Sequence, residues 1–549
     1  MITDQIVMKA MSAMEKCLPD EDLSGHAAVD HFRMFKNERL VFQVGILNET
    51  NERYSPLVPV KTAGALAPFA VVKQVMNLPI QYPTLHPGFD TELLREKPCL
   101  APDPIRPLHY RGSLPLPTGI PQVLFVEINV PETMAAGTYD FKLYLGDTEP
   151  ERSVTVTVDV LADSLPEQKL IHTEWFYTDC IAEAHHVKVF SEKHWKIIES
   201  YLRTAVNNGI NMILTPVFTQ ELDTYIGGER LTTQLVKITV TGKDKYAFDF
   251  TDLDRWIALC KSCGVKYYEI PHFFTQWGAA HAPKFVAKVN GRTKKIFGWE
   301  TDAMGKEYGK FLSQLIPALV KALKKNGVDQ QCFFHVSDEP QMAHLDHYRA
   351  CRELLSKYLG DYNIIDALSN VEFYKTGAIA KPVPSIGHIK DFMDLNVPGL
   401  WAYYCGCPNV RSARSHLMPS YRTRILGVQL WKANIEGFLH WGYNFYHNRN
   451  SYDIVDPFGE TSGEFFSSSG DAFLVYPGDD DTAWESLRLT AIRQAMDDMR
   501  ALDLLAQKKG RAFAEQVLKE TAGMEITFFE YPRCNEFFDR LRERIAKEL

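Results

Sequence analysis

Phe333-Phe334-His335-Val336-Ser337-Asp338-Glu339-Pro340 is a short apolar run that stops on two adjacent acids. Pro340 has no N–H for a strand ladder, so the strand ends here and Asp338 and Glu339 fall on the turn that follows. The run is the fourth of eight similar ones. The others cover residues 170–177, 211–217, 267–274, 364–369, 384–388, 400–405 and 437–443, and this one spans 331–337. Helical patterns lie between them, such as 194–206, 253–263 and 308–323. Short apolar strands alternating with amphipathic helices specify parallel βα units. Eight units over roughly 275 residues match a (β/α)8 TIM-type barrel, whose functional groups stand at the C-terminal ends of the strands. The sixth strand is the weakest, so an open sheet is the alternative.

Upstream the rhythm is different. Residues 40–47, 122–130, 137–143 and 153–160 are rich in β-branched residues, partly alternating, and divided by Pro, Gly and Asn turns. This pattern predicts an antiparallel β-sandwich over residues 1–165, joined through a polar linker at 162–168 to a barrel over 169–480. A Gly/Ser-rich loop at 459–480 leads into a helix at 481–505, and a helical segment over 481–549 packs on the barrel. The formal net charge is -9, from 60 Lys+Arg against 69 Asp+Glu. That balance gives no footprint for nucleic acid. No stretch approaches the ~18 apolar residues of a membrane span, and the N-terminus lacks the pattern of a signal peptide, so a cytoplasmic location is expected. The 10 Cys are scattered and read as reduced thiols, including Cys260-x-x-Cys263 and Cys405-x-Cys407. No zinc, phosphate-loop or EF-hand spacing occurs, and neither a metal nor an organic cofactor is expected.

Two carboxyls at a barrel mouth suit glycosidic bond cleavage, in which one acid protonates the leaving oxygen and a second group attacks or activates water. The usual partner would stand on strand seven, yet 400–405 has no acid, and neither does 437–444 on strand eight. Glu174 and Glu269 lie within strands and read as interior polar groups, while Glu436 precedes strand eight at the wrong end. The neighbour Asp338 is therefore the second group. Such proximity suits substrate assistance, in which a 2-acetamido oxygen of the sugar attacks its own anomeric carbon. Trp401 and Tyr403 alternate onto one face of strand seven and Trp441 closes strand eight, so all three are candidates to line a sugar pocket. His272, Gln276 and Trp277, at and after strand three, add further polar and aromatic groups.

With these stretches in view, the sequence resembles glycoside hydrolase family 123, whose members are β-N-acetylgalactosaminidases. The resemblance is carried by residues 334–340, by Thr224-Tyr225-Ile226-Gly227-Gly228-Glu229-Arg230, by 272–278, and by Phe473-Leu474-Val475-Tyr476-Pro477-Gly478. It spans about residues 170–505, with a looser fit to the N-terminal region. It implies that Asp338 orients and polarises the acetamido group, that Glu339 is the general acid/base, and that Trp401, Tyr403 and Trp441 line the sugar subsite. The sequence departs from the family pattern at Gln220 and Glu221, where prolines are usual, and at Tyr177, where a histidine is usual. The substrate implied is a glycan or glycoconjugate with a β-linked N-acetylgalactosamine. The alternatives are a glycosidase for another sugar such as β-N-acetylglucosamine, one with a separate carboxylate nucleophile, or a non-catalytic carbohydrate-binding protein.

Overall fold

The computed structural model describes residues 5–50, 55, 57–84, 92–108, 111–146, 152–406, 409 and 411–549. Residue Cys407 of the Cys405-x-Cys407 pair lies outside them, and the other nine cysteines are free thiols.

Among the described residues the N-terminal strands form two sheets, one of seven strands that is antiparallel throughout and one of five that is antiparallel except where His31–Lys36 runs parallel to Ser153–Ser164. They share a core in which Phe42, Val44 and Val126 of the first meet Phe141, Leu143 and Val158 of the second. Residues that alternate in sequence thus put one face inward on each sheet. Two strands of the larger sheet, Tyr476–Pro477 and Ala483–Ser486, come from beyond the barrel. The helix expected from 481 therefore begins at Leu487 and runs to Lys509, with Ser486 as its N-cap. The seam is held by buried charge pairs. Arg488 binds Asp103 at 2.9 Å, and Glu485 accepts from Arg39 at 2.8 Å and from Lys73 at 2.7 Å. The expected linker is partly strand, since the last sandwich strand extends over Ser153–Ser164.

Eight parallel strands follow as a nearly closed barrel. Around the ring they are Ile171–Glu174, Met212–Leu214, Tyr267–His272, Cys332–His335, Asn363–Ala367, Lys381–Val383, Trp401–Tyr403 and Gly437–His440. Strands one and eight pair along four residues, Ile171 to Glu174 against Gly437 to His440. The sixth strand lies at Lys381–Val383, ahead of the expected 384–388. Only Ser385 of that range pairs, in a bridge to Tyr403 that joins strands six and seven. Pro382 and Pro384 remove ladder donors here, which is why the strand is short and its signal weak. A further four-stranded sheet, built from Lys237–Gly242, Lys245–Asp249, Phe285–Val289 and Arg292–Phe297, grows out of the loops after strands two and three and was not anticipated.

Outside the ring, the helix Ser420–Lys432 crosses Leu487–Lys509 at Gly427, where a Cβ would fall within 2 Å of the Ala495 carbonyl oxygen. Among the described residues, no helix is long and apolar enough to cross a membrane.

Candidate active site

Side chains two apart on a strand share a face, and in the barrel that face is the interior. Ile171, Met212, Leu214, Phe333, Ile365, Val383 and Trp401 fill its lower layers. Above them the packing becomes polar. His335 is fully buried, with Nε2 2.7 Å from Glu269 Oε1 and Nδ1 3.1 Å from Asp366 Oδ1. Glu269 also accepts from the Thr173 hydroxyl at 2.5 Å and the Trp175 indole N–H at 2.8 Å. Asp366 accepts from the Tyr348 hydroxyl at 2.6 Å and the Val336 amide at 3.0 Å. Burial alone would drive the imidazole neutral, but Asp366 and Glu269 outweigh it and hold His335 protonated, up to about 9. His272, His335 and Asp366 gather three donor atoms that could hold a metal. Both His335 nitrogens are already committed to carboxylates, so the donor set does not suit a cation.

Directly above this layer the chain turns. Glu339 has φ +41°, uncommon for a side chain larger than glycine, and its amide donates to the Ala367 carbonyl at 3.0 Å. The Asp338 carbonyl accepts from the Trp277 amide at 2.9 Å, and the Ser337 hydroxyl donates to the Thr275 carbonyl at 2.8 Å. The turn is therefore tied to strand five on one side and to the loop after strand three on the other. That loop holds Trp277, Gly278 and Ala279 in succession at positive φ.

A cavity of about 300 Å³ opens over the turn. Asp338, Glu339, Asp223, Trp175, Trp277 and Trp441 are among its walls. The Tyr403 hydroxyl donates to Glu339 Oε1 at 2.5 Å. Asp338 is raised well above the usual carboxylate range, first by burial, then by Glu339, Asp223 and Asp366, with His335 opposing. Asp223 is raised to about 7 by burial, against Arg230, with Glu339 adding to the rise. Three acids around one small, largely apolar chamber favour positive charge at its centre.

The profile "Glycoside hydrolase 123, catalytic domain" matches residues 175–505. The chain belongs to glycoside hydrolase family 123. The matched span of this family 123 chain begins at Trp175 of the cavity wall and ends within the helix Leu487–Lys509. Among solved structures, a family 123 glycoside hydrolase from Clostridium perfringens, described in a study of glycolipid glycan hydrolysis, superposes with a TM-score of 0.73 at 14% identity. The match covers 99% of this chain and 97% of that one, so the likeness of fold includes the N-terminal sheets. An endo-β-1,4-mannanase from Thermotoga petrophila has a TM-score of 0.34 at 13% identity, over 61% of this chain and 77% of its own. A family 5 mannosidase from Rhizomucor miehei has 0.35 at 11%, over 62% and 95%. Both values are too low to carry an argument. Comparison with curated proteins found no match.

The family 123 cavity collects Asp338, Glu339, Tyr403, Trp441, Gln276 and Trp277 from the expected set. Gln276 acts by support, accepting from the Asp223 amide at 2.7 Å and donating to the Thr224 carbonyl at 3.2 Å. Trp441 donates its indole N–H to Asp471 at 3.2 Å. Two residues of the expected set lie outside the cavity lining. Trp401 is fully buried, packs on Phe333 at 5.3 Å, and occupies space left by Gly437, whose Cβ would collide with its ring. It shares a face with Tyr403, but two residues of rise place it ~6–7 Å lower, in the barrel interior. His272 is buried against His335, ring centroids 4.3 Å apart, and is not among the lining residues. Neither ring nitrogen has a hydrogen-bond partner among the described residues, and Nε2 lies 3.9 Å from Asp366 Oδ1. The sequence reading missed Asp223, Trp175, Phe466 and Asp471. Asp223 abuts the 224–230 stretch and Trp175 directly follows strand one, so each had a local signal. Phe466 and Asp471 lie in the Gly/Ser-rich part of the 459–480 segment, ahead of the 473–478 stretch that carries the resemblance, where no periodicity marks a position.

Proposed function

We propose that the chain removes β-linked N-acetylgalactosamine from a glycan or glycoconjugate by a retaining, substrate-assisted mechanism. The observation that carries this reading is the adjacency of Asp338 and Glu339 on one pinned turn inside the cavity. Glu339 protonates the leaving oxygen and later takes a proton from water. Asp338 accepts the acetamido N–H and stabilises the charge that grows on that nitrogen as an oxazoline closes. The crowding of acids supports the same chemistry, because a cationic transition state relieves it. Asp471, also on the wall, is engaged by Trp441, the Gly406 amide at 3.1 Å and His440 at 3.4 Å, so it is not placed as a nucleophile. The Clostridium perfringens relative is described as hydrolysing glycolipid glycans, and we extend a glycoconjugate substrate to this chain on that basis. We further propose that residues 1–165 serve as an accessory domain, with the barrel over 169–480 as the catalytic unit.

Asp223 favours a second reading. Its carboxyl lines the same cavity, which makes it a candidate separate nucleophile. Aryl glycosides differing at C2 and C4 test the sugar, with the 2-acetamido galactoside expected to turn over fastest. A thiazoline mimic of the cyclised sugar should inhibit strongly. Comparable cleavage of the 2-hydroxy galactoside, or a 2-fluoro sugar trapped on Asp223, would replace the first reading with the second.

A further inference from the structure

A second cavity, of about 240 Å³, adjoins the first, and Tyr403, Cys405, Gly406 and Asp471 form walls of both. Its chemistry is different. The lining includes Arg411, His388 and the serines Ser369, Ser385, Ser412 and Ser468. Arg411 is only partly exposed, and its guanidinium has no carboxylate or carbonyl partner among the described residues. One face stacks on Phe529, with Cζ 5.2 Å from the ring centroid. The head also rests on Gly387, where a Cβ would come within 3.0 Å of Nη1. Stacking occupies the face of a guanidinium and leaves its N–H edge free. Charges drawn away from water are normally paired, so this one is held ready for a partner from outside the chain. The buried Ser412 hydroxyl also lacks a hydrogen-bond partner among the described residues. The acid on this wall, Asp471, is satisfied by Trp441, Gly406 and His440.

We propose that this cavity is a subsite for the sugar adjoining N-acetylgalactosamine, and that Arg411 recognises an anionic substituent on that sugar, a carboxylate or a sulfate ester. The inference rests on reading the first cavity as the sugar-cleaving site. A planar N–H edge fits either anion with paired hydrogen bonds, and the serine hydroxyls fit the ring hydroxyls around it.

The test is calorimetry with the Glu339→Gln variant, which binds without turning over. The probes are β-N-acetylgalactosaminyl disaccharides whose second sugar is galactose, 3-O-sulfogalactose or glucuronic acid. Binding of at least one anionic probe should be tighter than the neutral one by roughly 10-fold or more, as for a charge-assisted hydrogen bond. In Glu339→Gln/Arg411→Gln that ratio should fall to about one. Preference for the sulfated or the uronic probe identifies the anion. Equal affinities in the single variant, or an unchanged ratio in the double variant, overturn the inference. Failure of the wild type to cleave 2-acetamido galactosides, with the anion preference intact, would instead count against the proposed function alone.

Discussion

Asp338→Asn keeps the side chain's shape and removes its charge, so it separates the electrostatic role of Asp338 from its packing. In the proposed mechanism the carboxylate lies about 3 Å from an amide nitrogen that gains roughly half a positive charge. At an effective dielectric of about 20, a full charge pair at that distance is worth about 5 kcal/mol, and half a charge about 2.5 kcal/mol. The expected loss in kcat is therefore ~10²-fold, rising toward ~10⁴ if charge development is nearly complete. Stability should move the other way. Burial, Glu339, Asp223 and Asp366 raise the folded-state value of Asp338. Between the unfolded and folded values, the native state binds more protons than the unfolded chain. The benefit of the protonated form is thus complete below about pH 4 and is lost as pH rises through the folded value. Asparagine never ionises, so the variant should melt higher than wild type at about pH 8, with the gain vanishing near pH 4. Initial rates on an aryl N-acetylgalactosaminide and thermal melts at both pH values read the two arms. A rate loss under about fivefold would refute the charge-stabilising role. Inactivity accompanied by a lower melting temperature at pH 8 would show that Asp338 is structural.

Glu339→Gln should cripple turnover of sugars with poor leaving groups and spare activated aryl glycosides, whose departure needs little protonation; equal losses on both would point to a role other than acid catalysis. Asp223 moves from 3.8 to about 7 on folding. Asp223→Asn should therefore stabilise the protein above about pH 7, by at most about 4 kcal/mol, and have no effect near pH 4, as read by denaturant unfolding at both pH values. His335 is raised to about 9 between Glu269 and Asp366, so its stabilisation is complete below about pH 6 and is lost as pH rises through about 9. His335→Gln should cost roughly 3–5 kcal/mol at neutral pH by leaving two carboxylates without their cation, and a variant as stable as wild type would contradict the ion-triad assignment. Tyr403→Phe removes the 2.5 Å hydrogen bond to Glu339 and should lower kcat/KM by about 10-fold, with an unchanged value showing that this contact does not act in catalysis.

The sequence alone was enough for the alternation of short apolar strands and amphipathic helices, for the change of rhythm near residue 165, and for two acids on the turn after strand four. Those features are local: a strand's period, a proline that stops a ladder and an acid beside it are all written within a few residues. Its reading of Trp401 and Tyr403 on one face was also correct, but periodicity carries no depth. Only the assembled ring placed Tyr403 on Glu339 and Trp401 a layer below, in the space left by Gly437. His272 stacked under the cavity for the same reason, since its neighbour His335 belongs to another strand and is held there by Glu269 and Asp366. The strand at Ala483–Ser486 looked helical because its partner, Cys99–Pro107, lies nearly 400 residues away in the chain. Asp223, Phe466 and Asp471 reach the cavity on loops with no periodicity to read, anchored by contacts such as Gln276 to the Asp223 amide. Tertiary packing decided these positions because each depends on atoms distant in sequence and adjacent only after the barrel closes.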